Sequence, residues 1–153
     1  MPQLVLVCPQ IPPNTGNVAR TCAATETILH LVGPLGFEMS DRYLKRAGLD
    51  YWPYVRWHYH DSFEAFKTYH QTQGGRLIGF STKGQLSYFQ FQFQRDDWLL
   101  FGAETTGLAS EVLNICAATV YIPMSQPKVR SLNLSVSAAL GLFEARRQLG
   151  YLQ

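Results

Sequence analysis

Short β-rich runs alternate with helical stretches along the whole chain, and this alternation constrains the fold more than any other feature. The runs are Gln3 to Val7, Ile28 to Val32, Val55 to Tyr59, Leu77 to Phe80, Trp98 to Phe101 and Thr119 to Ile122. Apolar spacing between them predicts helices over 14–25, 42–47, 62–71 and 109–115, and a last one from about Leu132 to Leu149. Asp41 or Ser40 caps the second helix, and Ser62 caps the third, whose apolar face is Phe63, Phe66 and Tyr69. The pattern implies an α/β domain with a mainly parallel sheet flanked by helices. In such sheets ligands sit beyond the carboxyl ends of the strands. Every distinctive motif here follows a strand: Asn14 to Arg20, Ser81 to Gly84, Gly102 to Gly107 and Pro123 to Ser131.

At 153 residues the chain is sized for a single domain, taken as 1–153. Its 46% hydrophobic content is too high for disorder, while 16% charged residues is low for a free surface and suggests a buried interface. The apolar run Leu4 to Cys8 falls far short of the ~20 residues needed to cross a bilayer. No basic stretch precedes it, so no signal peptide is expected. A net charge of +2 neither announces nucleic acid nor excludes it, since a local patch suffices. Cys8, Cys22 and Cys116 are scattered without ligand spacing, so no metal site is expected and reduced thiols in a cytoplasm fit best.

Three segments hold the residues suited to chemistry. In the first, Ile11-Pro12-Pro13 holds extended backbone and Asn14 is the expected N-cap of the first helix. Val18, Ala19, Cys22 and Ala23 form that helix's core stripe. Its N-terminus suits an anion, Gly16 allows close approach, and Arg20 projects from the same face as Gly16. Taken alone, the segment reads first as a capped helix with a surface arginine. The second segment is Phe101 to Leu108. Gly102 leaves room for a flat ligand on the backbone, and Glu104 suits a cationic partner or a helix N-terminus; a tight turn into the next helix fits equally well. The third runs from Ile122-Pro123-Met124 to Arg130 through Ser135, with Ser131 the expected N-cap of the last helix. Leu132, Val136, Ala139, Leu140 and Phe143 make one apolar stripe, and Leu134, Ala138, Leu142 and Ala145 another, so burial of the first turns is expected. Gly141 in mid-helix costs about 1 kcal/mol against alanine and implies something packed very close.

Other features are read plainly. Tyr88 to Gln94 alternates strictly, as an edge strand or a loop packed by its phenylalanines. His58 and His60 read as surface or packing residues. Dinucleotide, P-loop, nucleophile-elbow and zinc-protease fingerprints do not occur in the sequence.

Together the three segments resemble the motifs of the SPOUT class of S-adenosylmethionine-dependent RNA methyltransferases, in its SpoU branch. The elements are Asn14, Gly16 and Arg20; Leu100 to Leu108; and Ile122-Pro123-Met124 with Ser131 to Ser135. The chain is most similar to the small tRNA wobble-ribose methyltransferases, the YibK-like proteins. That likeness runs through Ile11 to Asn17, Arg46-Ala47-Gly48-Leu49-Asp50-Tyr51 and Thr82-Lys83-Gly84. It departs at Val136, often asparagine in relatives, and at Phe143, often tyrosine.

The resemblance implies a deep C-terminal trefoil knot and a cytoplasmic homodimer packed through the first and last helices. It implies transfer of the methyl of S-adenosylmethionine to the ribose 2′-hydroxyl of cytidine or uridine 34 in a tRNA anticodon loop, without a metal. Phe80, Gly102, Ile122, Ser131 and Leu132 are the expected cofactor contacts. Arg20, Glu104 and Asn133 are the expected catalytic residues. Because a guanidinium with pKa above ~12 is a poor base in water, Arg20 is read as an orienter, with base function requiring desolvation. Asn14, Arg42, Lys45, Arg46 and Arg130, with Lys128, are the expected RNA contacts. Tyr51, Trp52, Tyr54 and Trp57 are read as core rather than as base-stacking residues. The alternatives are a SpoU-type 2′-O-methyltransferase acting at another tRNA or rRNA position, and a non-catalytic RNA-binding module.

Overall fold

The computed structural model describes residues 1–48 and 50–151. Leu49, part of the stretch shared with the YibK-like proteins, and the last two residues of the 1–153 domain lie outside the described residues. Among the described residues, seven strands form one sheet. They are β1 (Gln3–Val7), β2 (Leu29–Val32), β3 (Trp57–His60), β4 (Leu77–Phe80), β5 (Leu86–Ser87), β6 (Trp98–Phe101) and β7 (Ala118–Tyr121), in the order β3-β2-β1-β6-β4-β7-β5. Every pairing is parallel. The helices are α1 (Pro12–Thr25), α2 (Arg42–Gly48), α3 (Phe63–Gln73), α4 (Ser110–Ile115) and α5 (Leu134–Leu149).

Alternate residues of the central strands serve opposite faces. Leu4, Leu6, Leu99 and Phe101 pack with Val18 and Cys22 of α1 and with Ala138, Leu142 and Ala145 of α5. Val5, Val7, Trp98 and Leu100 pack with Phe66 of α3 and Val112 of α4. Both faces are thus covered, and the strands read as continuous apolar runs for that reason. Arg76 and Asp97 clasp the starts of β4 and β6 through two 2.8 Å bonds.

Several boundaries and packing expectations change. Helix α1 begins at Pro12, not after Asn14, and Ile11 is its N-cap without a side-chain bond. Proline at the first helical positions supplies a preset φ and removes an N–H that would lack a partner. At α5 the cap is Asn133, whose side chain accepts from the Ser135 amide, and not Ser131; the helix starts two residues later than expected. Strand β3 lies at Trp57–His60, because a 3-10 turn at Trp52–Tyr54 takes the Val55 amide. The caps at Asp41 and Ser62 form as expected. Of the four aromatics read as core, Tyr54 is 73% and Trp57 39% exposed, and Tyr51 and Trp52 are half-buried. The α5 stripe of Val136, Leu140 and Phe143 is exposed, while only the Leu134 stripe is buried.

The Tyr88–Gln94 segment is a loop, not a strand. Tyr88, Phe91 and Phe93 turn inward, and Gln148 of α5 accepts from the Phe93 amide and donates to the Phe91 carbonyl. Gly141 sits where expected from its cost. A Cβ there would come within 2.8 Å of the Phe80 ring.

Candidate active site

A pocket of about 450 Å3 opens at the carboxyl ends of β6, β4 and β7, three adjacent strands of the sheet. Parallel strands all present their carboxyl ends on one side, so the loops that leave them converge there. Its wall takes Phe80 to Lys83 after β4, Phe101 to Leu108 around the end of β6, and Ile122 and Met124 after β7. Arg130 to Leu132, Leu134 and Ser137 close it from the start of α5. Phe80, Gly102, Ile122 and the pair Ser131-Leu132, from four separate stretches of sequence, all stand on this one wall. The apolar wall of Phe101, Leu113, Ile122 and Leu132 fits a flat heterocycle. The hydroxyls of Ser81, Thr82, Thr105 and Ser131 fit a ribose and a polar chain. This combination and volume suit a nucleoside-sized ligand such as S-adenosylmethionine.

Gly102 is needed for the loop itself. A Cβ there would overlap the backbone of Gly107 and Leu108, which folds back so that the Gly107 amide donates to Ala103 at 2.8 Å.

Glu104 does not sit near the next helix. It reaches across to the start of α1, where its two oxygens accept from the amides of Gln10 and Ile11, each at 2.8 Å. Pro12 and Pro13 have no N–H, and the Asn14 amide donates to the Ile11 carbonyl at 3.1 Å. Every donor of the first turn is therefore accounted for, and the expectation of an anion at this helix terminus is overturned: Glu104 supplies the negative charge instead.

Asn14 is buried rather than open to a substrate. Its Nδ2 donates to Glu104 (3.3 Å) and its Oδ1 accepts from Asn133 (2.9 Å). One chain of hydrogen bonds thus joins the three motif segments at the pocket's edge. Sequence reasoning missed this role, since Asn14 matched a capping signal and nothing local marks a partner over a hundred residues away.

Arg20 does not line the pocket. It is exposed, and its guanidinium lies 4.8 Å from the centre of the Tyr51 ring. Its side chain stands in solvent, without the desolvation that base function would require. Arg42, Lys45 and Arg46 form an exposed basic face on α2, which packs closely on α1. Lys128 and Arg130 are exposed on the loop before α5. Thr82, Lys83, Thr105, Thr106 and Met124 line the pocket without having been given roles; their position after strand ends was the available signal.

A further cluster lies at the other half of the sheet. His30 is fully buried, its Nδ1 lies 3.0 Å from His60 Nε2, its Nε2 lies 2.7 Å from Gln3 Oε1, and His58 stacks on it. Burial first, then the neighbouring imidazoles of His60 and His58, pull the His30 pKa down to about 3, and burial also lowers that of His60. His58 and His60 thus do pack, as expected, around a third histidine that apolar neighbours concealed in β2. Burial pushes the Cys116 thiol up to about 11 and raises those of Cys8 and Cys22.

A family model of the SpoU rRNA Methylase family matches residues 1–143. A Synechocystis protein provisionally named tRNA (cytidine(34)-2′-O)-methyltransferase is 60% identical, with 97% of each chain covered. A Polaromonas tRNA (cytidine(34)-2′-O)-methyltransferase is 48% identical over 97% of this chain and 91% of its own. Among solved structures, one concerning 2-OH methylation of C/U34 on tRNA superposes with a TM-score of 0.93 at 51% identity, covering 98% of this chain and 97% of that one. The SpoU methyltransferase AviRb from Streptomyces viridochromogenes, in complex with the cofactor AdoMet, gives a TM-score of 0.88 at 26% identity. That match covers 97% of this chain and 60% of AviRb.

Proposed function

The chain belongs to the SpoU rRNA Methylase family, and from this we propose that it is a tRNA 2′-O-methyltransferase acting on cytidine or uridine 34 with S-adenosylmethionine. The observation that carries the reading is the meeting of three motif loops at one nucleoside-sized pocket, tied together by Glu104, Asn14 and Asn133. Relatives of full matching length are named for this reaction, and a family structure holds AdoMet.

The cofactor would supply an already activated methyl group, so the chain's own work is chiefly positioning. Phe80, Gly102, Ile122, Ser131 and Leu132 hold the cofactor against backbone and apolar wall. Glu104 fixes the entry of α1 against the β6 loop, and Asn133 fixes the start of α5 to the same network through Asn14. Arg20 orients the ribose hydroxyl and its phosphate. The exposed face of Arg42, Lys45 and Arg46, with Lys128 and Arg130, receives the anticodon-loop backbone.

A homodimer through α1 and α5 is part of the same reading, supported by the exposed apolar stripe of Val136, Leu140 and Phe143. It would set the basic face of one protomer beside the pocket of the other. Threading of α5 into a knot is supported by the way the 88–94 loop is bound to Gln148 while α5 also packs on Phe80 and Phe101. No helix among the described residues is long and apolar enough to span a membrane, and action on cytoplasmic tRNA fits.

Incubation of purified protein with S-adenosylmethionine and total tRNA, with mass-spectrometric mapping, tests the reading. A 2′-O-methyl group at nucleotide 34 is expected. Product only at another tRNA or rRNA position establishes the alternative enzyme, and absence of both product and cofactor binding by calorimetry leaves an RNA-binding module.

A further inference from the structure

We propose that Tyr51 is a positioning residue for Arg20, its ring fixing the guanidinium while leaving the N–H donors free for an RNA 2′-hydroxyl and the adjoining phosphodiester. The inference rests on the role given to Arg20 above.

Two other arginines of this protein show the contrast. Arg76 and Arg147 are each held by a carboxylate, Asp97 and Glu144, through paired bonds of 2.8 to 2.9 Å. Those bonds spend the guanidinium fork and neutralise its charge. Arg20 has no ion pair among the described residues. Its guanidinium carbon lies 4.8 Å from the Tyr51 ring centroid, within cation–π distance. The attraction acts through the ring face, so it restrains the planar group and consumes none of its in-plane donors. The full positive charge is retained for an anionic partner.

Tyr51 is itself anchored. It is half-buried, and its carbonyl accepts from the Tyr54 amide at 2.9 Å, closing the turn that leads into Trp52–Tyr54. It follows α2, which carries Arg42, Lys45 and Arg46. Tyr51 thus lies three residues in sequence after the end of the helix whose basic face is proposed to receive the RNA backbone.

The test replaces Tyr51 with phenylalanine, then with mono-, di- and trifluorophenylalanine, which keep the ring's shape and progressively drain its face of negative charge. Tyr51→Phe should retain turnover within about two-fold, because the ring and not the hydroxyl is used. Along the fluorinated series kcat should fall stepwise, by about ten-fold at the trifluoro ring, with KM for tRNA, S-adenosylmethionine affinity and Tm unchanged. A flat kcat across the series overturns the proposal. So does a rise in KM alone, which would make Tyr51 a base-stacking contact, or a Tyr51→Phe variant as impaired as the trifluoro protein. Failure of the unmodified protein to methylate any RNA would instead remove the functional reading beneath it.

Discussion

Asn14 sits where three segments far apart in sequence meet, and its amide is used at both ends. Asn14→Asp would set a second carboxylate against Glu104 and lose the donor between them. We expect a stability loss of about 1–3 kcal/mol at neutral pH by urea denaturation. An unchanged urea midpoint would show that the network carries little energy. Gly141 poses the opposite test. Alanine there gains about 1 kcal/mol of helix propensity, yet its Cβ would press on Phe80 at 2.8 Å. The clash should win by about 1–2 kcal/mol and weaken S-adenosylmethionine binding in calorimetry, since Phe80 lines the pocket. The closeness at Gly141 was legible because a mid-helix glycine is costly. The use of Asn14 was not, because a local capping signal hid a long-range one.

At the scale of elements, β2 and β3 are joined by a histidine stack as well as by their ladder. His30 is held neutral, with a folded pKa of about 3 against the usual 6.5. The unfolded chain therefore binds a proton that the folded chain refuses between those values. Stability is full above pH 6.5 and falls as the pH drops toward 3, by up to about 1.4 kcal/mol per pH unit. Urea midpoints at pH 7, 6 and 5 should fall accordingly, and His30→Asn should flatten the slope even though it lowers the plateau. An equally steep slope in that variant would assign the effect to other groups. All the strands except the two-residue β5 at Leu86–Ser87 were readable from their apolar runs to within a residue or two. The stack was not, since His30 in Leu29-His30-Leu31-Val32 looks like a polar interruption until three histidines are set side by side by parallel register.

For the whole molecule, the exposed stripe on α5 and the low charged fraction point the same way. On the proposed pairing through α1 and α5, the protein should sediment as a dimer and Phe143→Glu as a monomer, with reduced tRNA methylation and an unchanged fold by circular dichroism. A variant that stays dimeric would place the interface elsewhere. Pooling two basic faces would also let a chain of net charge +2 bind RNA, so KM for tRNA should rise steeply with salt. A salt-independent KM would argue against the α2 face as the phosphate contact.

The amino-acid sequence by itself determined the α/β class, nearly every strand, the caps at Asp41 and Ser62, and the strand-end loops that wall the pocket. These depend on periodicity, propensity and strand-end position, which act over a few residues. Only the tertiary structure decided that Glu104 closes the start of α1, that Asn14 links it to Asn133, that Arg20 rests on Tyr51 and that three histidines stack. It also decided which α5 stripe is buried. Each of these is a contact between segments brought together by strand order, and an amphipathic or capping signal cannot name a partner that chain topology has yet to supply.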